Sequence, residues 1–194
     1  VTPDWSFFAA VDRYLAGVPD DSYDIIIFDC PPAIGYQSMN AVFAADILYI
    51  PSGPGYWEYD STTSFLGQLG DALEELDAGF DVSRFPAGNP EKSARPKTFL
   101  DVRFLLTRFE EGNELHKAML DGFRRVFGDQ VTSHPIDLTR AVEQSGRFLS
   151  SVYEIDYRKM TRKTWLRARM SFDRAYTEFR ATVRQCWRDM EVEQ

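Results

Sequence analysis

Apolar residues along the chain fall into two rhythms, one helical and one extended. Phe7, Phe8, Val11 and Leu15 recur at helical spacing and Pro3 suits a first turn, so residues 3–17 read as a helix that Gly17 ends. The run Tyr23-Asp24-Ile25-Ile26-Ile27-Phe28 is short, continuous and rich in β-branched residues. It predicts a strand buried on both faces of a sheet. A helix over 38–45 leads to a second strand, Ile47-Leu48-Tyr49-Ile50, which Pro51, Gly53, Pro54 and Gly55 break. Asp60 or Ser61 can cap the next helix, with Phe65, Leu66, Leu69, Leu73 and Leu76 on one face. Residues 78–97 read as a surface loop, and 102–107 as a third strand centred on Phe104, Leu105 and Leu106. Residues 113–127 predict an amphipathic helix capped by Asn113, with Leu115, Met119, Phe123 and Phe127 inward. A short strand near Val131 and a small helix over 139–145 follow. The last helix, about 161–190, carries a stripe of Trp165, Ala168, Phe172, Tyr176, Phe179, Val183, Trp187 and Met190 that packs on the body.

Strands alternating with helices imply an α/β fold with a doubly wound, mostly parallel sheet, here with a long C-terminal helix. Ligands of such sheets sit at the carboxyl ends of the strands. That singles out three loops, 29–37, 51–60 and 107–113.

A chain of 194 residues with 44% hydrophobic content holds one domain with an appendage, divided here at 1–156 and 157–194. Cys30 and Cys186 are too few and too far apart for a disulfide framework or a cysteine-ligated cluster, and read as reduced thiols. The longest apolar run is far too short to span a membrane, and no signal-peptide pattern is present. Residue 1 is Val, so an upstream part is expected. The charge is divided unevenly. Residues 1–156 carry −13 and residues 157–190 carry +7, within a total of −8. An anionic partner must therefore meet the C-terminal segment.

Asp29 leaves the 23–28 run and is followed by Cys30, Pro31 and Pro32. A carboxylate at a strand exit can hold magnesium through water, opposite a nucleotide's phosphates; equally, it can cap a helix or sit in a loop. The two prolines fix a rigid, extended turn. Between Asp156 and Asp173 stand six basic residues and no acid, among them Arg158, Lys159, Arg162, Lys163 and Arg167. Such a run is either a solvated face or a phosphate-binding surface. His116 and His134 stand alone, and no nucleophilic triad or metal-ligand cluster is discernible.

The segment 23–32, with Gly35 and Ser38-Met39-Asn40-Ala41, resembles the Walker B region of ParA/MinD-type ATPases. Ala45-Asp46-Ile47-Leu48-Tyr49-Ile50-Pro51 and Phe104-Leu105-Leu106-Thr107-Arg108-Phe109-Glu110 resemble that family's following strands. Val126-Phe127-Gly128-Asp129, His134-Pro135 and Val152-Tyr153-Glu154 bring the resemblance nearest to the RepA subgroup of repABC plasmids. The resemblance implies a P-loop NTPase-like fold of the deviant Walker A kind, ATP and Mg2+ as cofactors, and an ATP-switched homodimer. It also implies nonspecific DNA and a centromere-binding ParB/RepB-type partner, in plasmid or chromosome partition at the nucleoid in the cytoplasm. Asp29 takes the catalytic and metal role. Thr107, Arg108 and Pro135 fall where family members approach adenine and ribose. Arg158, Lys159, Arg162, Lys163 and Arg167 take the DNA-binding role. Pro54-Gly55-Tyr56-Trp57-Glu58-Tyr59 falls near the family's dimer face. Nothing in the chain resembles the glycine-rich phosphate loop, so the chain reads as the C-terminal half of a longer protein, inactive alone. Two alternatives stand beside this: a noncatalytic interaction domain, and a membrane-associated MinD-like regulator. The acidic end, Asp189 to Gln194, disfavours the second.

Overall fold

The structure is a computed structural model that describes residues 10–19, 21–31, 33–79, 97–156, 158 and 160–192. Its elements run α1 (Ala10–Leu15), α2 (Tyr36–Ala44), β1 (Ile47–Ser52), α3 (Tyr56–Gly79), β2 (Asp101–Leu106), α4 (Glu114–Phe127), α5 (Arg140–Arg147) and α6 (Arg162–Val192). β1 and β2 form a parallel two-stranded sheet. Single parallel bridges from Phe104 to Val131 and from Phe109 to Asp137 extend it, so the strand expected near Val131 is reduced to one bridge. The architecture is P-loop NTPase-like α/β with a long C-terminal helix. The chain divides into two compact units, 1–48 with 63–99, and 49–62 with 100–194.

In the first unit, Met39 and Val42 of α2 and Leu69 of α3 form a buried cluster, with Phe43, Leu48, Phe65, Leu73 and Phe99 packed against it. The Asn40 side chain ties α1 to α2: its Oδ1 accepts from Ala10 N at 3.1 Å and its Nδ2 donates to Tyr36 O at 2.8 Å. The 23–28 strand is not formed. Residues 25–31 have no regular structure, and Ile25, Ile26 and Ile27 are 43%, 44% and 76% exposed. A strand buried on both faces needs a ladder on each side. Among the described residues no strand pairs with this run. α3 begins at Tyr56, one turn before the expected caps Asp60 and Ser61, because the Pro54-Gly55 turn already releases the chain into the helix. The side chain of Leu76 and the 80–96 part of the expected loop lie outside the described residues, as do Pro3, Phe7 and Phe8.

In the second unit, β2 turns Phe104 and Leu106 into the core, where they are 2% and 1% exposed. Phe123 of α4 is fully buried and meets the Tyr59 ring edge-on at 5.1 Å, while Phe104 stacks on Phe127 at 4.1 Å. Asn113 caps α4 as expected: its Oδ1 accepts from Leu115 N at 3.0 Å. Leu115 itself is 39% exposed, while Met119 and Leu120 are buried. α6 packs through Ala168, Val183 and Cys186. Tyr176 and Trp187, expected on that stripe, are 56% and 39% exposed. Ala168, Phe172, Phe179, Val183 and Cys186 already fill a narrow face, and the two larger rings fall to its flank.

Candidate functional site

The carboxyl ends of β1 and β2 are joined by backbone and hydroxyl contacts. Thr107 N donates to Ser52 O at 2.8 Å, and Thr107 Oγ1 reaches the same oxygen at 3.3 Å. Ser52 Oγ lies 2.9 Å from Thr62 Oγ1, which donates to Glu58 O at 2.7 Å. These contacts set the first turn of α3 against the sheet edge. Arg108 follows with a left-handed φ of 56°, a conformation that costs a non-glycine residue energy and re-aims its side chain. Its Nη2 pairs with Glu58 Oε1 at 3.1 Å. The pair lies over Gly53 and Gly55. A Cβ at Gly53 would come within 2.7 Å of Arg108 Nη2 and 2.8 Å of Glu58 Cγ, and one at Gly55 would meet the Glu58 carboxylate. Glycine at both positions therefore lets the ion pair sit close over the loop. Tyr56 and Trp57, between Gly55 and Glu58 in the chain, are 68% and 83% exposed.

Pro135 stands beside Thr107 and Arg108 through the backbone. Ile136 N donates to Leu106 O at 2.8 Å, Phe109 N to Ile136 O at 3.0 Å, and Leu138 N to Phe109 O at 2.8 Å. The three residues expected to approach a nucleotide thus lie on two stitched segments at one sheet edge. His116 supports the same turn, its Nδ1 accepting from Glu110 N at 3.0 Å.

Asp29 belongs to the other unit and is exposed. Cys30 beside it is exposed too; partial desolvation first, and the Asp29 carboxylate second, push its thiol above the ordinary value. Pro32 lies outside the described residues. Among the described residues no three His, Cys, Asp or Glu side chains converge on a metal position. An exposed lone carboxylate fits magnesium only as a water-bridged ion whose other oxygens come from phosphates, and Asp29 has that character.

The basic segment is not uniform. Arg158, Arg162 and Lys163 are exposed, and Lys159 lies outside the described residues. Arg167 differs from them: its Nε donates to Asp137 Oδ2 at 2.7 Å. That hydrogen bond raises its pKa above the usual arginine value. Arg167 also shares a cavity with Glu110, Glu111 and Glu114, a setting that repels phosphate. Arg169 stacks over Trp165 at 4.9 Å and Tyr153 at 5.2 Å. Asp137, Glu178 and the pairing of Glu58 carry no sequence signal of their own. Each is an ordinary carboxylate whose partner lies 30 to 50 positions away.

Residues 9–81 match the AAA domain family. Over 184 residues the chain is 25% identical to a protein of Rhizobium rhizogenes named "Putative replication protein A", covering 95% of this chain and 42% of that protein. It is 30% identical over 183 residues to the like-named protein of Sinorhizobium fredii, covering 94% and 41%. Protein SopA of Escherichia coli K12 is 29% identical over 143 residues, covering 72% and 32%. The chain spans about two fifths of the length of the two replication proteins. No helix among the described residues is long and apolar enough to cross a membrane. With an α/β sheet edge, a family match through the Asp29 segment and a likeness that runs on through α6, the chain belongs to the ParA/MinD-type AAA-domain proteins, with replication protein A and SopA among its relatives.

Proposed function

We propose that this chain is part of a ParA-type partition ATPase, a nucleotide-switched homodimer that binds DNA without sequence preference and works with a ParB/RepB-type partner. The observation that supports it most is the stitched edge formed by Thr107, Arg108 and Pro135, at the carboxyl end of a parallel sheet. ATP supplies the phosphoanhydride, and magnesium neutralises its charge when bound. In this reading Asp29 holds the hydrated ion. Thr107 and Pro135 border the base and ribose, and the Glu58 pair fixes the direction of Arg108. Exposed Tyr56 and Trp57 suit the dimer face, where large aromatic side chains are enriched. Arg158, Lys159, Arg162 and Lys163 meet phosphates, while the acidic remainder keeps DNA off the rest of the surface. The cytoplasm, at the nucleoid, is the place of action this implies.

The phosphate-gripping loop belongs to the protein in which this region is joined to one. The experiment compares ATP turnover of the 194-residue chain with that of the complete reading frame, each with magnesium and duplex DNA. The complete protein turns ATP over and the chain alone does not. Asp29→Ala in the complete protein abolishes ATP-dependent dimerisation and leaves the melting temperature within a few degrees. Equal turnover by chain and complete protein, or an Asp29→Ala variant that switches normally, overturns the reading.

A further inference from the structure

The segments bearing Thr107, Arg108 and Pro135 are held to α6 at two points. Ser133 N donates to Glu178 Oε2 at 2.8 Å, and His134 Nδ1 meets the other oxygen of the same carboxylate. Three residues on, Asp137 accepts from Arg167. Pro135 lies between these two anchors. Arg167 and Glu178 are eleven residues apart, so three helical turns, about 16 Å, separate them on nearly one line along α6. Arg167 is one turn from Lys163 and five residues from Arg162. We infer that these two side-chain contacts are the mechanical link by which nucleotide at the sheet edge regulates DNA contact by the start of α6.

The inference rests on the proposed function, and it explains why Arg167 departs from its neighbours. The 106–109 and 136–138 segments share three backbone hydrogen bonds, so a ligand that shifts one shifts the other. A helix of 31 residues transmits that shift as a rigid rod rather than absorbing it. With both pins made, any displacement of 133–138 turns the first two turns of α6, where Arg162 and Lys163 stand. With either pin cut, the sheet edge and the helix start move independently. Coupling of this kind is worth 5- to 150-fold in affinity in typical cases.

The test uses the complete protein and measures duplex DNA affinity with and without ATP and magnesium, on two unrelated sequences. Asp137→Asn, Glu178→Gln and Arg167→Gln each reduce the ATP-dependent gain in DNA affinity at least threefold. Fluorescent-ATP affinity stays within twofold for each variant. Asp137→Asn and Arg167→Gln act on one pair, so their double variant loses no more than either alone. Should Asp137→Asn fail to fold, Arg167→Met reads the same pin, since methionine is of similar length and carries no donor. Variants that keep the parent's gain overturn the inference. So does an Arg167→Gln variant that loses DNA affinity equally with and without ATP while Asp137→Asn gains it, because Arg167 is then a DNA contact. A parent protein with no ATP dependence of DNA binding overturns the proposed function, and this inference with it.

Discussion

Leu149 sits just past α5 with a left-handed φ of 48° and 97% of its surface exposed. Leu149 N donates to Gly146 O at 3.1 Å and Ser150 N to Ser145 O at 3.0 Å, the closing pattern of a helix that glycine usually completes. A leucine there bears the left-handed cost, roughly 1–2 kcal/mol, and buries nothing in return. Leu149→Gly is therefore expected to stabilise the 194-residue chain by about 0.5–1 kcal/mol, after the larger unfolded-state entropy of glycine is subtracted. A urea titration reads this directly, and a lower midpoint refutes it. Residue-scale strain of this kind was not legible in the sequence. Phe148-Leu149-Ser150 gives no turn signal, whereas Asn113 announced its cap by side-chain chemistry alone. The same limit applies to Arg108, whose side chain pairs with Glu58 fifty positions away.

At the scale of elements, helices with strong apolar periodicity were readable and the buried strand was not. α4 shows why the first kind succeeds: Met119 and Phe123, four apart, dictate one buried face whatever lies around them. Phe123 touches Tyr59, Phe104 and Phe127 and is wholly buried. Phe123→Ala is expected to cost about 3–5 kcal/mol, a cavity that this small core cannot close. Thermal or denaturant unfolding measures it, and a loss under about 1 kcal/mol means the neighbours collapse into the space. The 23–28 run has an equally strong composition, but a strand is defined by the strands on either side of it. Nothing local to residues 23–28 specifies those partners, so sequence alone overstated what this chain forms there. The resemblance around Asp29 is legible as a sequence motif, whereas the setting of that residue depends on a ladder that is not formed among the described residues.

Across the whole molecule, charge sorts what the motifs left open. Under the proposed function, a body of −13 with a segment of +7 favours DNA contact at the C-terminal stretch. Arg167 is engaged by Asp137 and bordered by glutamates, whereas Arg158, Arg162 and Lys163 before it are exposed, and in the proposed reading these are cations that release counterions from a duplex. Arg162 and Lys163 open α6, side by side in its first turn. Each phosphate contact contributes roughly −0.9 to the slope of log affinity against log salt on duplex DNA. Reversing both to Glu in the complete protein is expected to weaken binding to every sequence alike and to flatten the slope by about two units. A salt titration with ATP against two unrelated duplexes measures it. An unchanged slope places the DNA contact elsewhere on the protein. A loss confined to one sequence means base edges are read, which cations at the start of a helix, with no fork-matched partner residues beside them, are not built to do.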